Sequence, residues 1–411
     1  MVPNGWEITN FGQLAEFRNG LNFTKADRGE AIKIVGVADF KDHSSLSSFE
    51  RLDTINVSNT VKENDLIKSG DVLFVRSNGN KDLIGRCLFF PEVTEKLSFS
   101  GFTIRGRVTS KDILPSYLAL LSRSEIVKQQ FSKNGGGTNI SNLSQQILND
   151  VVVPLPTIKE QRKIAQILST WDRGIATTEK LINASKQQKK ALMQQLLTGK
   201  KRLVNPDTGK VFEGEWELTH LKSLLIEEKS RNKDNKITRV LSVTNHSGFV
   251  LPEDQFSKRV ASENISNYKI VKQGQFGYNP SRLNVGSFAC LNQFSEGVLS
   301  PMYVVFSTND SKLQRDYLSY WMDSHEAKQR IKNSTQGSVR ESVGFDALCS
   351  FPFILPALNE QQKIASVLTA ADKEIELLQA KLAHLKDEKK ALMQQLLTGK
   401  RRVKVDENVA A

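Results

Sequence analysis

Few stretches of the chain carry residue types at spacings that could do chemistry, and none completes a catalytic pattern. Pro206-Asp207 followed by Glu227-Glu228-Lys229 imitates the acidic-plus-lysine pattern of a nuclease, but the pattern is short, common and straddles the start of an internal repeat near Trp216. Asn279-Pro280-Ser281-Arg282 is the nearest string to the Asn/Asp-Pro-Pro-aromatic motif of a DNA amino-methyltransferase and fails at two positions. Gly199-Lys200, Gly209-Lys210 and Gly399-Lys400 lack the first glycine and the hydroxyl of a phosphate loop, and no G-x-G-x-x-G exists for a dinucleotide or methyl donor. The histidines, His43, His220, His246, His325 and His384, are scattered without metal-ligand spacing. Cys87, Cys290 and Cys349 form no C-x-x-C and read as reduced, packed thiols. The expectation is a protein with no catalytic residues, no metal and no cofactor of its own.

The elements that would position any site repeat. KKALMQQLLTGK occupies 189–200 and returns letter for letter at 389–400. LPTIKEQRKIAQILSTWDRGI at 155–175 lies against LPALNEQQKIASVLTAADKEI at 355–375 with 10 of 21 positions identical. Upstream the offset drifts: GWEITN at Gly5 pairs with EWELTH at Glu215, and SGDVLFV at Ser69 pairs loosely with QGQFGYN at Gln273. The chain is therefore two copies of one unit, each a divergent globular part followed by a similar helical part.

In the second helical part Ile364, Leu368, Ala371, Ile375, Leu378, Leu382, Leu385, Lys389, Leu392 and Leu396 step by four and three, the seam of a coiled coil. The first keeps the frame with Ile164, Leu168, Trp171, Ile175, Ile182, Leu192 and Leu196 but places Thr178, Ser185 and Lys189 in it, a weaker seam that needs the other as partner. Thr157 with Glu160 forms a capping box, Ala357 is a poorer start, and Gly199 and Gly399 stand where a helix ends in a left-handed residue. Two such helices hide both stripes by pairing side by side, and their order in the chain favours an antiparallel pair. Residues 157–202 carry 11 basic against 3 acidic side chains and 357–402 carry 9 against 6, so these segments hold eleven of the net +12 charges. A basic balance points to an anionic partner, nucleic acid first; solvated helix faces are the plain alternative.

The globular parts read as mixed and strand-rich. AIKIVGV, DVLFVRS, RCLFF and MYVVF are β-branched and aromatic, whereas PSYLALLSRSEIVKQQF and DYLSYWMDSHEAKQRI have helical spacing. Each part ends in a polar, Gly-bearing loop, SKNGGGTNIS and KNSTQGSVRES. No apolar run approaches the ~20 residues that a membrane span requires, and the first residues lack a secretory pattern, so a cytoplasmic protein is expected. The expected fold class is α/β in the mixed α+β sense: two globular domains, a pseudo-twofold internal repeat, and two long antiparallel coiled-coil helices. The expected boundaries are 1–156 and 203–356 for the globular parts, 157–202 and 357–402 for the helices, and 403–411 for a tail.

The duplicated order of Leu-Pro, Glu160-Gln161, Lys163-Ile164-Ala165 and their counterparts Glu360-Gln361, Lys363-Ile364-Ala365, with Trp6 and Trp216 opening each unit and YNPSRLNVGS at 278–287, resembles the specificity subunit of Type I restriction-modification systems. The resemblance spans nearly the whole chain. It implies a DNA reader without activity of its own, in which each globular unit is a target recognition domain for one half of a split DNA sequence. It also implies that the helices hold the two apart, that two methyltransferase subunits dock on them, and that restriction/translocase subunits join. Methyl donor, ATP and magnesium then belong to those partners. A spacer that fixes distance and docks two copies of one partner would present one surface twice, which accounts for the repeated dodecamer; recent gene conversion is the simple alternative. Divergent readers imply an asymmetric, bipartite target.

Paired hydrogen bonds from Arg select guanine and from Asn or Gln select adenine in the major groove, while Ser, Thr, Lys and backbone N–H groups hold phosphates. On that basis the candidate DNA contacts in the first unit are Arg76, Asn78, Lys81, Lys133, Asn134, Thr138 and Asn139, with Gly135, Gly136 and Gly137 allowing close backbone approach or forming an ordinary turn. In the second unit they are Asn279, Ser281, Arg282, Asn284, Gln336, Ser338 and Arg340. A coiled-coil scaffold whose globular parts bind something other than DNA, and a nuclease or methyltransferase of unfamiliar type, are the rival functions.

Overall fold

The computed structural model describes residues 3–24, 27–41, 44–58, 61–134, 142–255, 264–335 and 342–405 of the 411. The chain divides into two compact units, Met1–Glu179 with Lys381–Ala411, and Lys180–Ala380. Each long helix, Ile158–Leu196 and Leu358–Leu397, thus begins in one unit and ends in the other.

In the first unit a four-stranded antiparallel sheet runs in the order Ala15–Asn19, Thr103–Val108, Val72–Val75, Cys87–Phe89. A three-stranded sheet sets Glu30–Val35 between antiparallel Asp53–Val57 and parallel Leu97–Phe99. The strand Val72–Val75 is buried at every position, so its VLFV run reads as continuous apolar sequence rather than alternation. The second unit repeats the antiparallel sheet as Leu225–Glu227, Val304–Thr308, Phe276–Tyr278, Phe288–Cys290. Its other sheet has four strands, Gly248–Val250, Val240–Thr244, Glu296–Leu299 and Lys269–Lys272.

Both units are closed by a two-stranded ribbon in one register: Glu7–Asn10 pairs with Val152–Leu155, Glu7 opposite Leu155, and Glu217–His220 pairs with Pro352–Leu355, Glu217 opposite Leu355. The segments with continuous helical spacing are each broken in two, Pro115–Ser122 from Glu125–Asn134 and Arg315–Asp323 from His325–Thr335. The breaks fall at Ser124 and Ser324, whose side chains compete for local backbone: Ser124 Oγ donates to the Leu121 carbonyl (2.6 Å) and Ser324 Oγ accepts from the Ala327 N–H (3.2 Å).

The first turn of each long helix is fixed by the Glu-Gln pair. Gln161 is fully buried; its amide donates to the carbonyls of Asp112 (2.7 Å) and Pro156 (2.9 Å) and accepts from the Leu114 N–H (2.9 Å). Gln361 repeats the set with Lys312 (2.9 Å), Pro356 (2.8 Å) and the Gln314 N–H (2.9 Å). Backbone groups left buried where sheet meets helix are satisfied by one side chain, which is why glutamine stands there twice. The Thr157–Glu160 capping contact is present at 3.4 Å, and Asn359 Oδ1 takes the Glu360 N–H (2.8 Å) at the start that Ala357 leaves uncapped.

Within each unit the start of one long helix lies antiparallel to the end of the other. In the first, Asp172 pairs with Lys389 and Glu179 with Lys386 (2.8 Å); in the second, Asp372 pairs with Lys189 (2.5 Å). Ile164, Leu168, Leu396 and Leu397 share the first unit's main core, and Leu196, Leu197, Ile364 and Leu368 share the second's. Lys189 and Lys389 are largely buried, 19% and 16% exposed at the side chain, while each ammonium reaches a carboxylate on the other long helix. Beyond each helix an arginine closes the unit. Arg202 binds Glu360 through two bonds (2.5 and 2.7 Å), stacks on Trp216 and reaches the Gly214 carbonyl (2.9 Å). Arg402 binds Glu160 (2.7 Å), stacks on Trp6 and reaches the Asn4 carbonyl (2.8 Å). Gly399 is left-handed (φ 70°), and a side chain there would run into the Pro3 ring.

Candidate nucleic-acid interface

The candidate loops grow from the most buried strand of each antiparallel sheet. In the first unit the chain leaves Val75 and turns at Arg76, whose N–H, with that of Ser77, bonds the Phe102 carbonyl (2.8 and 3.4 Å). The Arg76 guanidinium reaches the Gly101 carbonyl at 3.4 Å, a long bond that leaves other N–H groups for a ligand. Asn78 Oδ1 accepts from the Asn80 N–H (2.8 Å), and Asn80 caps a short helix, Lys81–Leu83, on which Lys81 is exposed. The segment after helix Glu125–Asn134, where Lys133 is exposed, returns to the same place: the Leu143 N–H bonds the Arg76 carbonyl (2.8 Å). Arg76, Asn78 and Lys81 thus share one loop, and the second loop re-enters beside it. Asn134 ends its helix, while Gly135, Gly136, Gly137, Thr138 and Asn139 lie outside the described residues.

The second unit repeats this arrangement in different letters. After Phe276–Tyr278, Asn279 Oδ1 caps the Ser281 N–H (3.0 Å) and opens a short helix, Pro280–Val285, that ends at left-handed Gly286 (φ 93°). Ser281, Arg282 and Asn284 are exposed on it. The Val343 N–H bonds the Pro280 carbonyl (3.0 Å), so again the loop that follows a helix returns to the loop that follows the central strand. Gln336, Ser338 and Arg340 lie outside the described residues. Burial pushes the Tyr278 phenol above its ordinary value and the Cys290 thiol up to about 11, so both stay neutral well into the alkaline range.

Sequence reasoning missed the residues between these loops. Ser100–Thr103 and Ser300–Tyr303 form matching turns (N···O 2.9 and 3.0 Å) with Phe102 and Met302 at their tips, 64% and 62% exposed. In the first unit a cavity of about 630 Å³ opens there, lined by Phe23, Asp39, Asp53, Ser77, Asn78 and Phe102. The available signal was a large apolar residue inside a turn, where polar residues prevail, at the same place in both copies.

The repeated dodecamer divides into two kinds of residue. Leu196, Leu197, Leu396 and Leu397 are buried, and Lys189 and Lys389 are held in ion pairs, so much of its identity is set by packing within the chain. Packing within the chain thus adds a third reason for the repeat beside docking and gene conversion. The exposed remainder lines a groove in each unit: Lys390, Gln394 and Lys400 with Ser124 and Glu125 around about 630 Å³, and Lys190, Gln194 and Lys200 with Ser324 and His325 around about 740 Å³.

For the nuclease-like string, Glu227 pairs with Lys229 (3.0 Å) and Glu228 accepts from Ser307 Oγ (2.8 Å), while the Asp207 N–H is taken by Asn205 (2.9 Å). Among the described residues no group of three or more His, Cys, Asp or Glu side chains is placed to hold a metal ion, and no helix is long and apolar enough to cross a membrane.

The family model for the Type I restriction modification DNA specificity domain matches residues 3–187 and again 223–387, which together cover most of the chain. The chain belongs to this family. It is a Type I specificity subunit built of two DNA specificity domains. It is similar to the Type I restriction enzyme MjaVIII specificity subunit of Methanocaldococcus jannaschii, 24% identical over 98% of this chain and 94% of the relative. In fold it is similar to the HsdS subunit from Thermoanaerobacter tengcongensis (TM-score 0.51, 18% identity, 97% and 98% of the two chains). A chain from a structure of complex assembly and conformational transition in the type I R-M system also matches (TM-score 0.61, 16% identity, 98% and 100%).

Proposed function

We propose that this specificity subunit reads a bipartite, asymmetric DNA target, one half-site per globular unit, and has no catalytic activity of its own. The observation that carries this is the matched pair of loops: in each unit a polar loop after the central strand is bonded to the returning segment of a second loop, Arg76 to Leu143 and Pro280 to Val343. Loops on a rigid sheet can vary in side chain without disturbing the scaffold, which suits a reader of variable sequence. Arg76, Asn78, Arg282 and Asn284 are assigned to base edges; Lys81, Lys133 and Ser281 to phosphates. The remaining candidates, Asn134, Gly135, Gly136, Gly137, Thr138, Asn139, Asn279, Gln336, Ser338 and Arg340, are proposed as further DNA contacts.

Docking of two methyltransferase subunits is assigned to the grooves that repeat at Lys190–Lys200 and Lys390–Lys400, since two like grooves take two copies of one partner. Restriction/translocase subunits join through those subunits, and methyl donor, ATP and magnesium are held by the partners, in the cytoplasm. The test is to express the chain with its methyltransferase subunit and map modified bases genome-wide by long-read sequencing. A split motif with unlike halves is expected, and exchanging residues 1–150 for another reader is expected to alter one half. Change in both halves overturns the reading.

A further inference from the structure

We propose that Phe102 and Met302 are specificity-determining residues, each contacting the 5-methyl group of a thymine in its own half-site. The inference rests on the DNA-reading role proposed above. Each side chain stands at the tip of a four-residue turn leading into the strand beside the central one, Thr103–Val108 or Val304–Thr308, and each is about two-thirds exposed. Neither tip is detached from the polar loops. The Phe102 carbonyl holds the N–H groups of Arg76 and Ser77, and Asn279 Nδ2 lies 3.7 Å from the Met302 sulfur. The two turns share no letters at their tips, Gly101-Phe102 against Pro301-Met302, yet both present a large apolar group where turn chemistry favours polar ones.

Such a group gains nothing from a phosphate or from a base edge that offers donors and acceptors. In the major groove the thymine methyl is the apolar feature of the base pairs, and an apolar side chain beside Arg and Asn adds discrimination at a position those residues leave unread. Phe102 lines the same cavity as Ser77 and Asn78, so the methyl and the neighbouring base edge would be read together.

The experiment starts from the modified motif and uses the full chain with its methyltransferase subunit. Duplexes are made in which each thymine of one half-site is replaced by uracil, which lacks only the methyl. At one position in each half-site wild type is expected to lose about fourfold in Kd, the worth of burying one methyl group. Phe102→Ala is expected to lose the same factor on the thymine duplex and to become indifferent to uracil in the first unit's half-site alone; Met302→Ala is expected to do so in the other. Phe102→Leu is expected to retain discrimination, separating loss of the contact from loss of the turn. A half-site without thymine, uracil tolerance by wild type, or discrimination surviving in Phe102→Ala would overturn the inference while leaving the bipartite reader intact. Absence of any split motif would instead overturn the proposed function.

Discussion

The two arginine closures are alike in composition and unequal in burial, and that inequality predicts unequal cost. Arg202 and Glu360 are 22% and 1% exposed and joined by two parallel bonds, whereas Arg402 and Glu160 are 45% and 6% exposed and meet through a single carboxylate oxygen. Arg202→Ala leaves a buried carboxylate whose remaining side-chain partner among the described residues is the Trp216 indole N–H (3.0 Å), a situation that costs about 3–5 kcal/mol. Arg402→Ala leaves Glu160 with the Thr157 hydroxyl and nearer to water, for about 1–2 kcal/mol. At roughly 2–4 °C per kcal/mol, the second unit's melting should fall by about 6–20 °C in the first variant, against about 2–8 °C for the first unit in the other. Differential scanning calorimetry with hydrogen exchange on residues 358–364 and 158–164 assigns each loss to its unit. Adding Glu360→Gln to Arg202→Ala should restore at least half of the loss, because it removes the stranded charge. Equal costs for the two arginines, or no recovery on neutralising Glu360, would refute the burial argument and leave stacking on tryptophan as the source.

Gln361→Leu strands the carbonyls of Lys312 and Pro356 and the N–H of Gln314, at about 1–3 kcal/mol per group; Gln161→Leu should cost the first unit a similar amount in urea unfolding, and a loss below about 1 kcal/mol in either would contradict the role described. Lys81→Ala should weaken binding evenly across sequences and lower the salt slope by about one, whereas Arg282→Ala should cost about 1–3 kcal/mol and relax one base position, both read by fluorescence anisotropy on motif and scrambled duplexes. Burial raises Tyr117, Tyr278 and Tyr317 above their ordinary value near 10. Above that pH the unfolded chain loses protons that the folded one keeps, so the stability these groups contribute is complete below pH 10 and declines as pH rises. Each should add about 1.4 kcal/mol per pH unit to the decline, and replacing Tyr317 by Phe should make denaturant midpoints between pH 10 and 11 less steep.

The long helices were legible because their frame steps by three and four, almost wholly apolar in the second copy and broken by Thr178, Ser185 and Lys189 in the first, and the observed helices Ile158–Leu196 and Leu358–Leu397 span that frame. The polar turns after Val75 and Tyr278 were legible because Asn, Gly and Ser follow an apolar run there. What stayed hidden was set by partners distant in sequence. Glu7–Asn10 becomes a strand only against Val152–Leu155, and a tetrapeptide gives no period to read. Gln161 looks like one more polar helix residue until Asp112 and Leu114 lie beside it. Lys189 looks like a flaw in the seam until Asp372, on the other helix, supplies the carboxylate. The helix breaks at Ser124 and Ser324 were masked by apolar spacing that continues across them.

Because Leu396, Leu397 and Arg402 complete the unit that contains residue 6, the amino-terminal half is made early and closed last. At ribosomal rates of about 5–20 residues per second, the face bearing Ile164 and Leu168 waits roughly 10–45 s for its lid to be synthesised. During that interval the nascent chain shows an open apolar strip, and the same strip is what a stop codon placed before Leu396 would leave exposed for good.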